Sequence, residues 1–310
     1  MTERTTTVVV PTVGRPDLLA RCLRSVLRGD HRPDRVIVCD QSEDQRTADV
    51  VHSMAMGNLI LYLRLPVPAA SAARNAGITN ATSDLVAFID DDCIAAPAWL
   101  AMLVDAYSRA SATEVVAGVA GAVLPLRSEA GGVPVSSRTS PHERRFRAAN
   151  GELERGAWAP WDVGTGANLL AARSVLLSIG GFDTSLGPGT QAAAAEDIDL
   201  LYRLARIGTL IYEPSAPVYH PATTRRKRLE SRIRYGRGMG AMLGGRMRAG
   251  DPAARPLSFL YLRHHVAQSF RTGWWGPIEG SLTLLAFSAA LTRGMPERRS
   301  GRHDRSSRDD

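Results

Sequence analysis

The chain has 310 residues, 44 % hydrophobic and 22 % charged, with 38 Lys and Arg against 31 Asp and Glu for a net charge of +7. That size supports a full core, and the balance excludes a globally disordered or collagen-like chain. Cys22, Cys39 and Cys93 are odd in number, far apart and without a Cys-x-x-Cys pair, which argues against a disulfide framework or a zinc site and for buried thiols.

The N-terminus, MTERTTTVVVPTVGRPD, lacks the basic, apolar and small-residue order of a secretory leader, so a cytoplasmic location is expected. It runs at once into a strand, TTVVVP. In RPDLLARCLRSVL the residues Leu18, Leu19, Cys22, Leu23, Val26 and Leu27 recur at helical spacing behind Pro16 and Asp17, which suit a first turn. RVIVCD (strand), TADVVHSM (helix), NLILYLR (strand), ASAARNAGITNA (helix) and DLVAFID (strand) follow. Apolar strands separated by helices predict an α/β fold, with a mainly parallel sheet covered on both faces. Next come a helix in APAWLAMLVDAYSRA, a strand in EVVAGVAGAVL and a long Gly-, Pro- and Ser-rich stretch at 125 to 160, of the kind that forms lids or lacks order. A helix begins near AEDIDLLYRLARIG, and two short strands, TLIYE and APVYH, close this part.

The last third differs. Residues 223 to 248 are rich in Arg, and PLSFLYLRHHVAQSF and SLTLLAFSAAL are apolar helices shorter than the ~20 residues a membrane span needs. A cationic helical face there can rest on anionic headgroups, or be a solvated surface. No nucleic-acid motif accompanies the charge. The polar end, MPERRSGRHDRSSRDD, is expected to be a disordered tail.

Three polar stretches stand at strand ends: PTVGR, Asp40 and Asp90 to Asp92. Ligands of open α/β sheets bind at the carboxyl ends of strands. Adjacent carboxylates repel, so the triplet calls either for solvent and a helix start or for a divalent cation on a phosphate-bearing substrate. Glu196, Asp197 and Asp199 occupy the first turn of a helix, where the dipole favours anions, and a carboxylate there is also a candidate general base. His220 ends a short strand as a structural residue or an added metal ligand. The first strand-to-helix turn holds only Gly14, which disfavours a dinucleotide fingerprint, and no phosphate-loop motif is present.

In order along the chain, VVVPTVGRPDLLARCLRSVL, VIVCDQS, ARNAGITNATSDLVAFIDDDC, GTGANLLAARSVLLSIGGFD, EDIDLLYRLARIG and VYH resemble the family-2 inverting glycosyltransferases of the GT-A fold, across roughly residues 6 to 222. The resemblance implies a catalytic domain over 1–222, a helical extension over 223–295 and a tail over 296–310. It places Pro11, Thr12, Arg15, Asp40, Arg74, Asn75, Asp90 and Asp91 at the nucleotide, with Asp40 accepting a nucleobase N–H and Asp91 near the ribose. It gives Asp90, Asp92 and His220 to Mn2+ or Mg2+, Asp197 of the Glu196–Asp197 pair to base catalysis, and Gly166, Ala167 and Asn168 to the sugar pocket. Trp158 and Trp161 either stack on a sugar or lipid acceptor or pack in the core.

The expected reaction is metal-dependent single displacement from a nucleotide sugar, UDP or dTDP favoured, to a hydroxyl of a glycan, a lipid-linked or a small-molecule acceptor. The enzyme is expected in the cytoplasm, where residues 223–292 can contact the inner face of the plasma membrane. Two other readings stand beside it: a sugar-nucleotide pyrophosphorylase, and a non-catalytic module binding nucleotide sugar or lipid.

Overall fold

The computed structural model describes residues 4–54, 57–126, 140–147, 158–269 and 276–292. Most of the stretch at 127–157 and the tail after 292 lie outside the described residues.

The chain opens as β1 (Thr6–Thr12), α1 (Pro16–Leu27), β2 (Arg35–Asp40), α2 (Arg46–Ser53), β3 (Ile60–Arg64), α3 (Ala70–Asn80) and β4 (Leu85–Ile89). Each strand alternates its side chains between two faces. Val8 and Val10 therefore join a cluster with Leu19, Leu23 and Leu103, while Val9 joins Ala73, Ile78 and Leu200 on the other face. Burial on both sides explains why these strands read as continuous apolar runs. The predicted α1 stripe is the buried one, and all three cysteines are free and buried.

There follow β5 (Ile94–Ala95), α4 (Trp99–Ser111), β6 (Val116–Pro125), β7 (Arg144–Phe146), β8 (Asn168–Ala172), α5 (Arg173–Ser178), α6 (Glu196–Ala205) and β9 (Thr209–His220). Among the described residues the sheet order is β3-β2-β1-β4-β8-β6-β9-β5, with β7 on β9. β3, β2, β1 and β4 are parallel, as are β6 and β9, whereas β8 runs antiparallel to both β4 and β6 and β5 and β7 run antiparallel to β9. The two short strands expected at the end of this part are one strand. Its register against β6 slips where Glu213 pairs with Gly121 and Val218 with Val123. Pro214, lacking an N–H, stands in that bulge.

The C-terminal part is α7 (Arg225–Arg248), α8 (Ala254–Ser269) and α9 (Gly276–Thr292). Among the described residues no helix is long and apolar enough to cross a membrane. Gly236, Gly240 and Gly244 recur every fourth residue and form one face of α7. A Cβ on Gly236 would meet the Thr283 carbonyl at 2.1 Å, and one on Gly240 the Phe287 carbonyl at 2.3 Å. The missing side chains let α7 and α9 touch backbone to backbone. Part of the basic excess is neutralised in the same place, because Arg228 and Arg232 pair with Glu279 at 2.7 and 3.2 Å.

This packing yields a contrast within one helix. Gly240→Ala should lower stability by about 1–3 kcal/mol through overpacking. Gly245→Ala, where a Cβ would meet nothing within 4 Å, should raise it by roughly 0.5–1 kcal/mol through helix propensity. Urea unfolding of both variants checks the pair, and equal effects would contradict the close approach.

Candidate active site

Beyond Ile89 the chain turns through Asp90, Asp91 and Asp92, closed by the Cys93 N–H donating to the Asp90 carbonyl at 3.0 Å, and returns as β5. Neighbouring elements compensate the repulsion in this turn. Arg15, just after β1, reaches Asp91 and Asp92 at 2.8 Å each. Arg74 of α3, itself buried, reaches Asp90 at 2.8 Å and Glu196 of α6 at 3.0 Å. Five carboxylates (Asp90, Asp91, Asp92, Glu196 and Asp197) thus face two guanidiniums, and the cluster keeps an excess of negative charge.

The sheet register brings His220 to the same turn. Ile94 pairs with Tyr219, so the next residue of β9 stands beside Asp92, with Nε2 3.6 Å from its Oδ1. His220 Nδ1 lies 2.7 Å from the Pro221 carbonyl, which can only accept, so Nδ1 carries the proton. In the neutral ring Nε2 then offers a lone pair toward a carboxylate oxygen, an arrangement suited to a cation between them. Among the described residues no group of three His, Cys, Asp or Glu forms a ready metal site. Two protein ligands do suit a metal whose remaining positions belong to substrate phosphates.

Burial sets the protonation behaviour. It raises the Asp91 carboxyl to about 7 in spite of Arg15 and the Thr12 hydroxyl, which donates to it at 2.7 Å. Burial, and then the Asp197 charge, raise Glu196 to about 7. Asp197 is raised by burial and lowered by N–H donors, from Gly166 at 3.1 Å and from Ile198 at 2.8 Å. Burial works against the charge of Arg74, but Asp90, Glu196 and Asp197 outweigh it and raise its pKa.

The backbone leading into the pair is strained. Ala193 and Ala195 have φ of 64° and 74°, a left-handed conformation that costs a residue with a Cβ about 1–3 kcal/mol. Gly238 of α7 lies against this loop, so closely that a Cβ would sit 2.5 Å from the Ala194 carbonyl.

Several residues expected at the ligand do other work. Asn75 is tied to the backbone of Phe182, accepting its N–H at 2.7 Å and donating to its carbonyl at 2.8 Å. Asn168 is buried and saturated: it accepts from the Trp99 indole at 2.8 Å and donates to the Ala122 and Ala216 carbonyls, joining β8, β6 and β9. Trp158 is core, tilted against Phe146 and donating to the Arg147 carbonyl. Asp40 accepts from the Ser42 amide and hydroxyl and, at 2.6 Å, from the Tyr62 hydroxyl, so its acceptor capacity is largely used. Asp91 is fully buried and holds Thr12 and Arg15. Arg74 joins two carboxylates, and Pro11 is buried in β1.

The remainder stand near the open face. Arg15 is exposed over 44 % of its side chain, and Asp90, Asp92 and His220 are half-buried. Asp90 turns to Arg74, whereas Asp92 turns to Arg15 and His220. Gly166 touches Asp197, half-buried Ala167 packs on the core, and half-buried Trp161 meets Tyr261 edge to face at 5.5 Å. Tyr62 inside β3, Ser42 just after β2 and Tyr235 on α7 are not singled out by the sequence. Tyr62 reaches Asp40 because β3 lies in register beside β2, with Tyr62 opposite Val38, and that pairing is a tertiary feature.

Comparison with known proteins shows the family and the fold. Residues 7–128 match the family Glycosyl transferase family 2. The succinoglycan biosynthesis protein ExoM of Rhizobium meliloti (strain 1021) is 30 % identical over 248 residues, which cover 76 % of this chain and 74 % of ExoM. The mannosyltransferase PcManGT from Pyrobaculum calidifontis, solved with GDP-Man and Mn2+, superposes with a TM-score of 0.60 at 20 % identity, over 95 % of this chain and 77 % of that one. S. aureus TarS 1-349 with UDP-GlcNAc gives 0.60 at 16 % identity, over 93 % and 81 %. The chain belongs to glycosyl transferase family 2. Its fold is GT-A, a mixed α/β sheet with flanking and C-terminal helices, and it is a glycosyltransferase.

The buried network makes two linked predictions. Arg74→Met, which strands Asp90 and Glu196, should cost about 3–5 kcal/mol in urea unfolding. Glu196 holds in the folded state a proton that the unfolded chain releases near pH 4.5. Its contribution is therefore full below that pH and lost as pH rises to about 7. Glu196→Gln should flatten the fall in stability across this window, and a slope identical to wild type would contradict the shift.

Proposed function

We propose that the chain transfers a sugar with inversion from a nucleoside diphosphate sugar to an acceptor hydroxyl, with Asp197 as general base and Mn2+ or Mg2+ at Asp92 and His220. The observation that carries this reading is the division of labour within Glu196–Asp197. Glu196 is buried against Arg74, while Asp197 stays half-buried, aimed by two backbone N–H groups and set at a helix N-terminus that favours its anion. A hydroxyl is a weak nucleophile until a base takes its proton, and a raised carboxylate pKa suits that task near neutral pH. One base and one displacement invert the anomeric carbon.

Asp92 and His220 would hold the metal, the latter through Nε2, and a metal at that point supplies charge neutralisation for the leaving diphosphate. Arg15, exposed and paired to Asp92, is placed to turn from the carboxylate to a phosphate oxygen. PcManGT was solved with GDP-Man and Mn2+, and TarS with UDP-GlcNAc. The resemblance favours a UDP- or dTDP-sugar as donor, and Asp40, whose acceptor capacity Ser42 and Tyr62 largely use, does not by itself carry that preference. Thermal shifts with UDP-, dTDP- and GDP-sugars in Mn2+ decide this, since a ligand at ~100 times its Kd stabilises by about 2.7 kcal/mol; a shift confined to GDP-sugars would refute the preference.

Two substitutions separate base from metal. Asp197→Asn should retain UDP affinity and lose transfer by roughly 10²–10⁴-fold, measured as product formed against calorimetric binding. Asp92→Ala and His220→Ala should each weaken Mn2+ binding in the presence of UDP. Unchanged Mn2+ affinity in both variants would remove the metal from these residues.

A further inference from the structure

Tyr235 belongs to α7, in the basic stretch that the reaction just described leaves without a role. It is a large aromatic residue left 55 % exposed. Three residues along, Gly238 is pressed against the Ala194 carbonyl in the strained loop that runs into Glu196 and Asp197. Residues three apart share a helix face, and helical side chains lean toward the helix N-terminus, so the face of α7 that touches this loop carries Tyr235 one turn nearer the helix N-terminus.

A second aromatic residue approaches from another direction. Trp161 lies in the single helical turn Pro160–Asp162, which packs against α6. Its ring meets Tyr261 of α8, which in turn packs on Phe287 of α9 at 4.9 Å between centroids. Tyr261 is 4 % exposed, and its hydroxyl has no hydrogen-bond partner among the described residues. Tyr235 and Arg232 are near enough to act on that hydroxyl electrostatically. The Ala194 loop leads directly into Glu196 and Asp197 at the start of α6, so a ring on this face of α7 stands toward the carboxylate pair.

We propose that Tyr235 and Trp161 form the acceptor subsite, on which the ring of a saccharide stacks with a hydroxyl directed at Asp197. This deepens the reading of Asp197 as the base and rests on it. The C–H face of a pyranose matches the negative face of an aromatic ring. An unpartnered buried hydroxyl and a neighbouring Arg suit the polar edge of the same sugar. The donor's nucleotide is held elsewhere, at the strand ends that carry Arg15 and Asp92.

The test is binding rather than turnover, so that it does not depend on the catalytic assignment. Methyl α- and β-glycosides of glucose, galactose and mannose are titrated into full-length protein with UDP and Mn2+ and followed by saturation-transfer NMR. At least one should bind saturably. Tyr235→Ala should weaken that binding about tenfold with unchanged Tm, since the residue is exposed, while Tyr235→Phe keeps the ring and the affinity. Trp161→Ala should weaken it likewise. Saturable binding to none of the glycosides, or Tyr235→Ala binding as tightly as wild type, overturns the subsite. Failure of the catalytic assignment looks different: the glycoside binds and depends on Tyr235, but Asp197→Asn transfers sugar at the wild-type rate.

Discussion

A buried guanidinium holds the two halves of this site together. Arg74 comes from α3, packed against the parallel end of the sheet, and its two outer nitrogens reach Asp90 at the end of β4 and Glu196 at the start of α6, 122 residues further along the chain. An uncompensated charge in such a place is very unfavourable, so neither carboxylate can leave without stranding the other groups. The planar fork of Arg suits this bridging, which a single ammonium cannot reproduce. The turn at Asp90–Asp92 and the base at Asp197 are held in register by that one side chain.

The C-terminal helices enter the same system from the outside. Glycines let α7 lie directly on α9 and, at Gly238, on the Ala194 carbonyl. Positive φ at Ala193 and Ala195 is unfavourable for residues with a Cβ and persists only where surroundings dictate it. α7 is part of those surroundings. Arg246 of α7 also pairs with Asp199 in the first turn of α6, and Asp199 is held by Arg203 at 2.7 Å as well. Helices that look in sequence like a separate basic appendage therefore brace the loop that presents Glu196 and Asp197.

Much of this was legible before the fold was known. The apolar runs of β1, β2 and β4 are continuous because both faces are buried, and the polar residues that follow them fall at strand ends because ligands are met there. The acidic turn and the Glu-Asp pair stand out because like charges side by side demand an explanation. Other positions misled. Asn75 and Asn168 lie in the expected motifs, yet their amides cross-link backbone segments 107 and 48 residues away. An amide that completes a buried backbone network cannot be told by type from one that waits for a sugar.

What the sequence determined by itself is the order and kind of its elements and the presence of two acidic groups at strand and helix ends, because periodicity and local charge are properties of neighbouring residues. What only the tertiary structure decided is the pairing. Arg15 and Arg74 compensate the aspartates, His220 meets Asp92 through the register of β5 on β9, and α7 comes to lie against the loop that leads into Glu196 and Asp197. Each of these depends on contacts between segments far apart in the chain, and such contacts are set by how sheet and helices pack.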